Sequence, residues 1–65
     1  MKRKTPKEKL IEYFENMKSY IKEECESGRH IWAIIGSIGK IDGKEDTQIF
    51  KEWLLLNKIN YTGDI

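Results

Sequence analysis

Residues 5–28, TPKEKLIEYFENMKSYIKEECESG, decide the fold. The segment opens with a capping-box pattern, in which the Thr5 hydroxyl accepts a hydrogen bond from the first helical turn and the Glu8 side chain reaches back to the Thr5 N–H. Pro6 falls at the first helical position, where its missing N–H costs nothing. Gly28 is typical of the residue just after a helix end. A helix start and a helix stop therefore bracket this segment.

The same segment carries an apolar stripe at helical spacing, about 100° per residue. The members of the stripe are Leu10, Phe14, Met17, Ile21 and Cys25. Glutamates and lysines occupy the opposite face. The pattern predicts one helix over residues 6–26 and places Cys25 in the core, where a free cysteine behaves as a small hydrophobic residue.

The next element toward the C-terminus is rich in isoleucine. Ile31, Ile34, Ile35 and Ile38 follow the i, i+3, i+4, i+7 pattern of a helix. Isoleucine also favours strands, and Gly36 and Gly39 each weaken a helix by roughly 1 kcal/mol, so a strand remains the alternative. The glycines either let another helix approach closely or fray the end of this one. The spacing favours a helix over residues 30–39.

A third helix follows a second capping-box pattern, Asp42-Gly43-Lys44-Glu45, with the aspartate as the cap. Its apolar stripe comprises Ile49, Phe50, Trp53, Leu54 and Leu56, whereas Leu55 points away. Asn57 is a suitable end. The helix is predicted over residues 43–57, and the remaining residues read as a turn-like or frayed tail.

These elements predict an all-α fold, a small three-helix bundle with helices at about 6–26, 30–39 and 43–57. The second and third helices could resemble a helix-turn-helix. The expected organisation is a basic N-terminal arm at 1–5, a single helical domain at 6–57 and a C-terminal tail at 58–65.

Composition excludes several classes of protein. The chain has 65 residues, and twelve Lys and Arg against eleven Asp and Glu leave a net charge of +1, which argues against a general polyanion binder. No stretch approaches the roughly eighteen apolar residues of a membrane span, and no signal-peptide core is present, so we expect a cytoplasmic protein with no membrane partner. Ten lysines and ten isoleucines would suit an AT-rich genome, such as that of a low-GC bacterium or its phage.

The sequence offers little catalytic or metal chemistry. One cysteine cannot form an intramolecular disulfide, and one cysteine with one histidine cannot complete a zinc site, so we expect no metal and no cofactor. The segment Gly36–Lys40 departs from a phosphate-binding loop, which needs glycine at position 34 and serine or threonine at position 41. Ser37 and His30 have no acid placed to complete a triad. We expect a protein that is not an enzyme and has no small-molecule substrate.

Aromatic residues at the edges of the apolar stripes suggest a protein interface. A core this small rarely supplies more than about 3–5 kcal/mol, so association with a partner or a second copy would add stability. Large aromatics and arginine are typical anchors of such interfaces. The candidate interface residues are Tyr13, Tyr20, Arg29, His30, Trp32 and Leu55. For Trp32, the alternative is a position at the edge of the core.

The N-terminal nine residues suggest a second hypothesis. Five basic residues against Glu8 give this segment a net charge of +4, and a basic arm can contact phosphates. The candidate nucleic-acid residues are Lys2, Arg3, Lys4, Lys7 and Lys9 in the arm, with Gln48 and Lys51 in the third helix. Glu45 and Asp46 argue against this role, because they would face phosphate at the start of a recognition helix.

The sequence therefore favours a small protein-interaction module. We expect a regulator or inhibitor that docks on a larger bacterial or phage protein, or on itself as a homodimer, through an apolar-aromatic helical surface. The alternative is a DNA-binding regulator that uses the basic arm and the third helix.

Overall fold

The computed structural model describes residues 4–65, and they form an all-α fold. Four helices follow in chain order: α1 (Pro6–Asn16), α2 (Lys18–Glu26), α3 (Ile31–Ile38) and α4 (Gly43–Leu56). Within the described range there is no strand, and the only extended pairing is an isolated bridge between His30 and Thr62. The predicted fold class is confirmed, but the number of helices is four rather than three.

The additional helix arises from a break at Met17. The prediction of one helix over residues 6–26 is wrong at this residue, whose ψ of 9° lies outside the helical range. Its N–H bonds the carbonyls of both Tyr13 and Phe14, while its own carbonyl still accepts from Ile21. The segment starts and ends at the predicted residues: Glu8 N–H donates to the Thr5 hydroxyl at 3.1 Å, and Gly28 takes a positive φ of 85°. Of the predicted capping box, the bond to the Thr5 hydroxyl forms, whereas residues 4–65 show no bond from Thr5 N–H to the Glu8 side chain.

The isoleucine-rich element is a helix, as its spacing predicted. His30 caps its N-terminus, and Gly39 ends it in the left-handed conformation with φ of 69°. A Cβ placed on Gly36 would meet nothing within 4 Å, so no neighbouring element makes a close approach there. Of the two glycines, Gly39 thus ends the helix and Gly36 faces open space.

The start of α4 differs from the predicted capping box. Asp42 makes no side-chain cap bond to the helix; instead, its own N–H donates to the Asp46 carboxylate at 3.0 Å. Gly43 takes φ of 83°, and the carboxylate that accepts from the Asp42 N–H is that of Asp46 rather than that of Glu45. Leu56 was predicted to lie on the buried stripe, but its side chain is 81% exposed because α4 ends there and the chain turns away at Asn57.

An aromatic cluster forms the centre of the core. The ring of Phe14 lies 4.8 Å from that of Phe50 and 5.5 Å from that of Trp53, between centroids. Close backbone approaches join α1 to α4 and α2 to α3. The backbones of α3 and α4 make no comparably close approach, although side chains of both helices belong to one core cluster.

The C-terminal tail is a packed part of the molecule. Ile59 is buried in the core, and its N–H donates to the carbonyl of Leu54. Further along, the carbonyl of Thr62 accepts from Ile31 N–H at 2.8 Å, so the tail reaches back to the first turn of α3. Residues 58–65 therefore complete the environment of α3.

Candidate protein-binding surface

Trp32 stands at the edge of an open groove between α3 and α4. Its side chain is 50% exposed, and its indole N–H donates to the backbone carbonyl of Asp64 at 2.8 Å. The groove has a volume of about 570 Å³. It is lined by Trp32, Ile35, Ile41, Gly43, Lys44, Thr47, Gln48 and Ile65. An exposed aromatic ring beside three isoleucines forms an apolar surface, and the indole hydrogen bond fixes the ring's orientation.

His30 has a structural role that the sequence did not reveal. Its Nδ1 accepts a hydrogen bond from Trp32 N–H at 3.2 Å, which caps α3. Its ring also lies against Gly63, where a Cβ would come within 2.5 Å of Nε2. Histidine is uncommon among strong N-caps, so no sequence signal identified this arrangement.

Arg29 lies on the loop before α3 and pairs with α2. Its guanidinium donates to the Glu24 carboxylate at 2.6 Å, and this hydrogen bond raises the pKa of Arg29. Tyr20 lies close enough to add to the same effect and is itself partly exposed. Arg29, Glu24 and Tyr20 thus form a polar group at the junction of α2 and α3. Arg29 directly precedes His30 in the sequence.

Tyr13 lies in a different groove. The ammonium of Lys40 sits 5.7 Å from the centre of the Tyr13 ring, within the range of a cation–π contact. Pro6, Lys9 and Leu10 line the same groove of about 350 Å³. Tyr13 is therefore not among the residues that line the Trp32 groove.

The end of α4 exposes two leucines. Leu55 is 60% exposed, as its position off the stripe predicted, and Leu56 is more exposed still. Leu56 also borders a groove between α1 and α4 whose apolar lining includes Ile11, Ile49 and Trp53. The sequence missed Leu56 as a surface residue because helical spacing alone does not show where the covering helix ends.

The candidate nucleic-acid residues are distributed over several places. Lys4 pairs with Glu12. Lys7 lines the α1–α4 groove, Lys9 lines the Tyr13 groove and Gln48 lines the Trp32 groove, while Lys51 is half-buried. Lys2 and Arg3 lie outside the described residues.

Cys25 is buried as expected. Burial raises the pKa of its thiol, and the neighbouring charges of Glu24 and Glu26 raise it further. The thiol is therefore kept in its protonated, weakly nucleophilic form.

Residues 4–65 form neither a cluster of metal ligands nor a helix that could span a membrane. No three His, Cys, Asp or Glu side chains gather where they could hold a metal ion. No helix of this part of the chain combines the length and the apolar character needed to cross a membrane.

Comparisons of the chain with models of known protein families, with curated proteins and with solved structures found no match.

Proposed function

We propose that this protein is a small non-enzymatic interaction module that docks on a larger bacterial or phage protein and regulates or inhibits it. The observation that carries the proposal is Trp32, a half-exposed aromatic residue held by the Asp64 carbonyl at the edge of an apolar groove. Tryptophan is prominent among the residues that dominate binding energy at protein interfaces.

The fixed orientation of the indole supports this role. Ordering a free side chain on binding costs about 0.5–1.5 kcal/mol, and a ring already held by a hydrogen bond avoids part of that cost. Ile41 and Ile65, which are partly exposed, provide apolar area that a partner could cover. Lys44 on the same groove favours a partner segment that places an acidic residue beside its apolar side chain.

The test is capture of the partner by tagged protein from a lysate of the source cells, with and without nuclease. We expect a stoichiometric protein that survives nuclease treatment. With that partner purified, Trp32→Ala should weaken binding by more than about 1 kcal/mol, as for an interface anchor, and Lys44→Glu should weaken it as well. Lys22→Glu is the matched control, because Lys22 is also exposed but does not line the groove.

Circular dichroism separates a binding defect from a folding defect. If Trp32→Ala loses its helicity, Trp32 serves the fold, and the result for Lys44→Glu then decides whether the groove binds the partner. Equal binding by Lys44→Glu and Lys22→Glu would contradict the proposal. Recovery that vanishes with nuclease would favour the alternative, a DNA-binding regulator.

A further inference from the structure

The groove between α1 and α4 presents a strip of apolar side chains on the surface of the molecule. Ile11 and Ile49 are half-buried along it, and Leu56 stands at its margin with most of its side chain exposed. The groove has a volume of about 380 Å³ and also includes the edge of Trp53. This surface is separate from the Trp32 groove and shares no lining residue with it.

Two charged residues of α1, Lys7 and Glu15, are placed symmetrically about Ile11. Lys7 lies four residues before Ile11 and Glu15 four residues after it, so the three side chains share one face of the helix. At a rise of 1.5 Å per residue, the basic and the acidic residue each lie about 6 Å from Ile11 along the helix axis. All three line the groove.

Rotation by 180° about an axis through Ile11, perpendicular to α1, exchanges the positions of Lys7 and Glu15. A second α1 laid antiparallel across the first therefore places isoleucine on isoleucine and forms two Lys–Glu pairs, one at each end. A two-fold interface uses the same patch on both subunits and must be self-complementary in this way.

We propose that the α1–α4 groove is covered by a second copy of this chain in a symmetric dimer. In this dimer, Ile11 meets its equivalent near the axis, Lys7 of each copy pairs with Glu15 of the other, and Leu56 extends the apolar contact along α4.

Within one chain, Lys7 and Glu15 are left available for ion pairs with a second copy. The two ion pairs in residues 4–65 are Lys4 with Glu12 and Arg29 with Glu24, so neither uses Lys7 or Glu15. One Glu15 oxygen accepts the Trp53 indole N–H at 3.1 Å, which fixes the carboxylate at the groove. A carboxylate has enough acceptor sites to bind a lysine of the second copy at the same time.

Charge reversal provides the test, with sedimentation velocity of the full chain as the measurement. Lys7→Glu alone opposes glutamate to glutamate at both ends of the interface, and Glu15→Lys alone opposes lysine to lysine. Each variant should raise the dimer Kd by at least about tenfold. An equimolar mixture of the two variants should restore dimerisation, because both pairs are then opposite in charge in the mixed dimer.

Two more variants complete the design. Lys9→Glu changes the same charge on the same helix but lies in the Tyr13 groove, and it should leave the dimer Kd unchanged. Leu56→Glu should weaken the dimer without unfolding the chain, because Leu56 is exposed. A wild-type protein that stays monomeric up to about 1 mM would overturn the proposal. So would a mixture no more dimeric than its two components, when both variants keep the circular dichroism of the wild type.

Discussion

At the scale of the residue, Cys25 shows how burial sets chemistry. Its side chain is 5% exposed, and it lies between Glu24 and Glu26 in the sequence. Removal from water disfavours the thiolate, and the two negative charges disfavour it further, so the pKa of the thiol is raised. In the unfolded chain, the thiol is exposed to water and this effect of burial is absent.

This difference predicts a pH dependence of stability. Between the thiol pKa of the unfolded chain, about 8.5, and the higher pKa of the folded chain, only the unfolded state releases the proton. The free energy of unfolding should therefore fall with rising pH in this window. Denaturant titrations of the wild type and Cys25→Ala at pH 7 to 10 measure the effect, since other titrations are common to both. A stability difference between the two proteins that does not change with pH would contradict the prediction.

At the scale of the element, local signals predicted helix ends better than helix continuity. Thr5 and Gly28 were identified from the sequence because capping and positive φ depend on a few neighbouring residues. The break at Met17 was not predicted, since no proline or glycine marks it. The acceptor at Asp46 was also missed, because the sequence places a carboxylate at both position 45 and position 46.

Gly36, inside α3, and Gly39, just after its end, provide a matched pair of predictions. Gly36→Ala should stabilise the protein by about 0.5–1 kcal/mol, because the position has helical geometry and open space around it. Gly39→Ala should destabilise it by about 1–2 kcal/mol, because a side chain is strained in the left-handed conformation. Thermal or denaturant unfolding of the two variants measures both effects. Shifts of the same sign would contradict the roles assigned to these residues.

At the scale of the whole molecule, the tail connects parts of the chain that are distant in sequence. Thr62 and Asp64 accept hydrogen bonds from Ile31 and Trp32, about thirty residues away. No local pattern encodes such contacts, which is why the sequence suggested a turn-like or frayed tail. The same limit applies to the candidate site. The exposure of Trp32 and Leu55 was consistent with the amphipathic pattern, but the groove beside Trp32 needs Ile41 and Ile65 to meet in space.

Gly63 is a tail position that has no room for a side chain. An alanine there would bring a Cβ against the His30 ring, and φ of 106° is unfavourable for any side chain. Gly63→Ala should therefore loosen the tail and speed hydrogen exchange at the Ile31 amide, which donates to Thr62. Asp64→Ala is the control, because the bond to Trp32 uses the backbone carbonyl of Asp64 rather than its side chain. Unchanged exchange at Ile31 in Gly63→Ala would show that the tail tolerates the strain.

The two tryptophans of this chain also make the molecule its own optical probe. Trp53 is 3% exposed and lies among phenylalanine rings, whereas Trp32 is 50% exposed. Their emission should therefore differ in wavelength and in access to a dissolved quencher such as acrylamide. A partner covering the Trp32 groove would shield only the accessible component, while global unfolding would expose both. Binding and unfolding can thus be followed separately in one unlabelled sample.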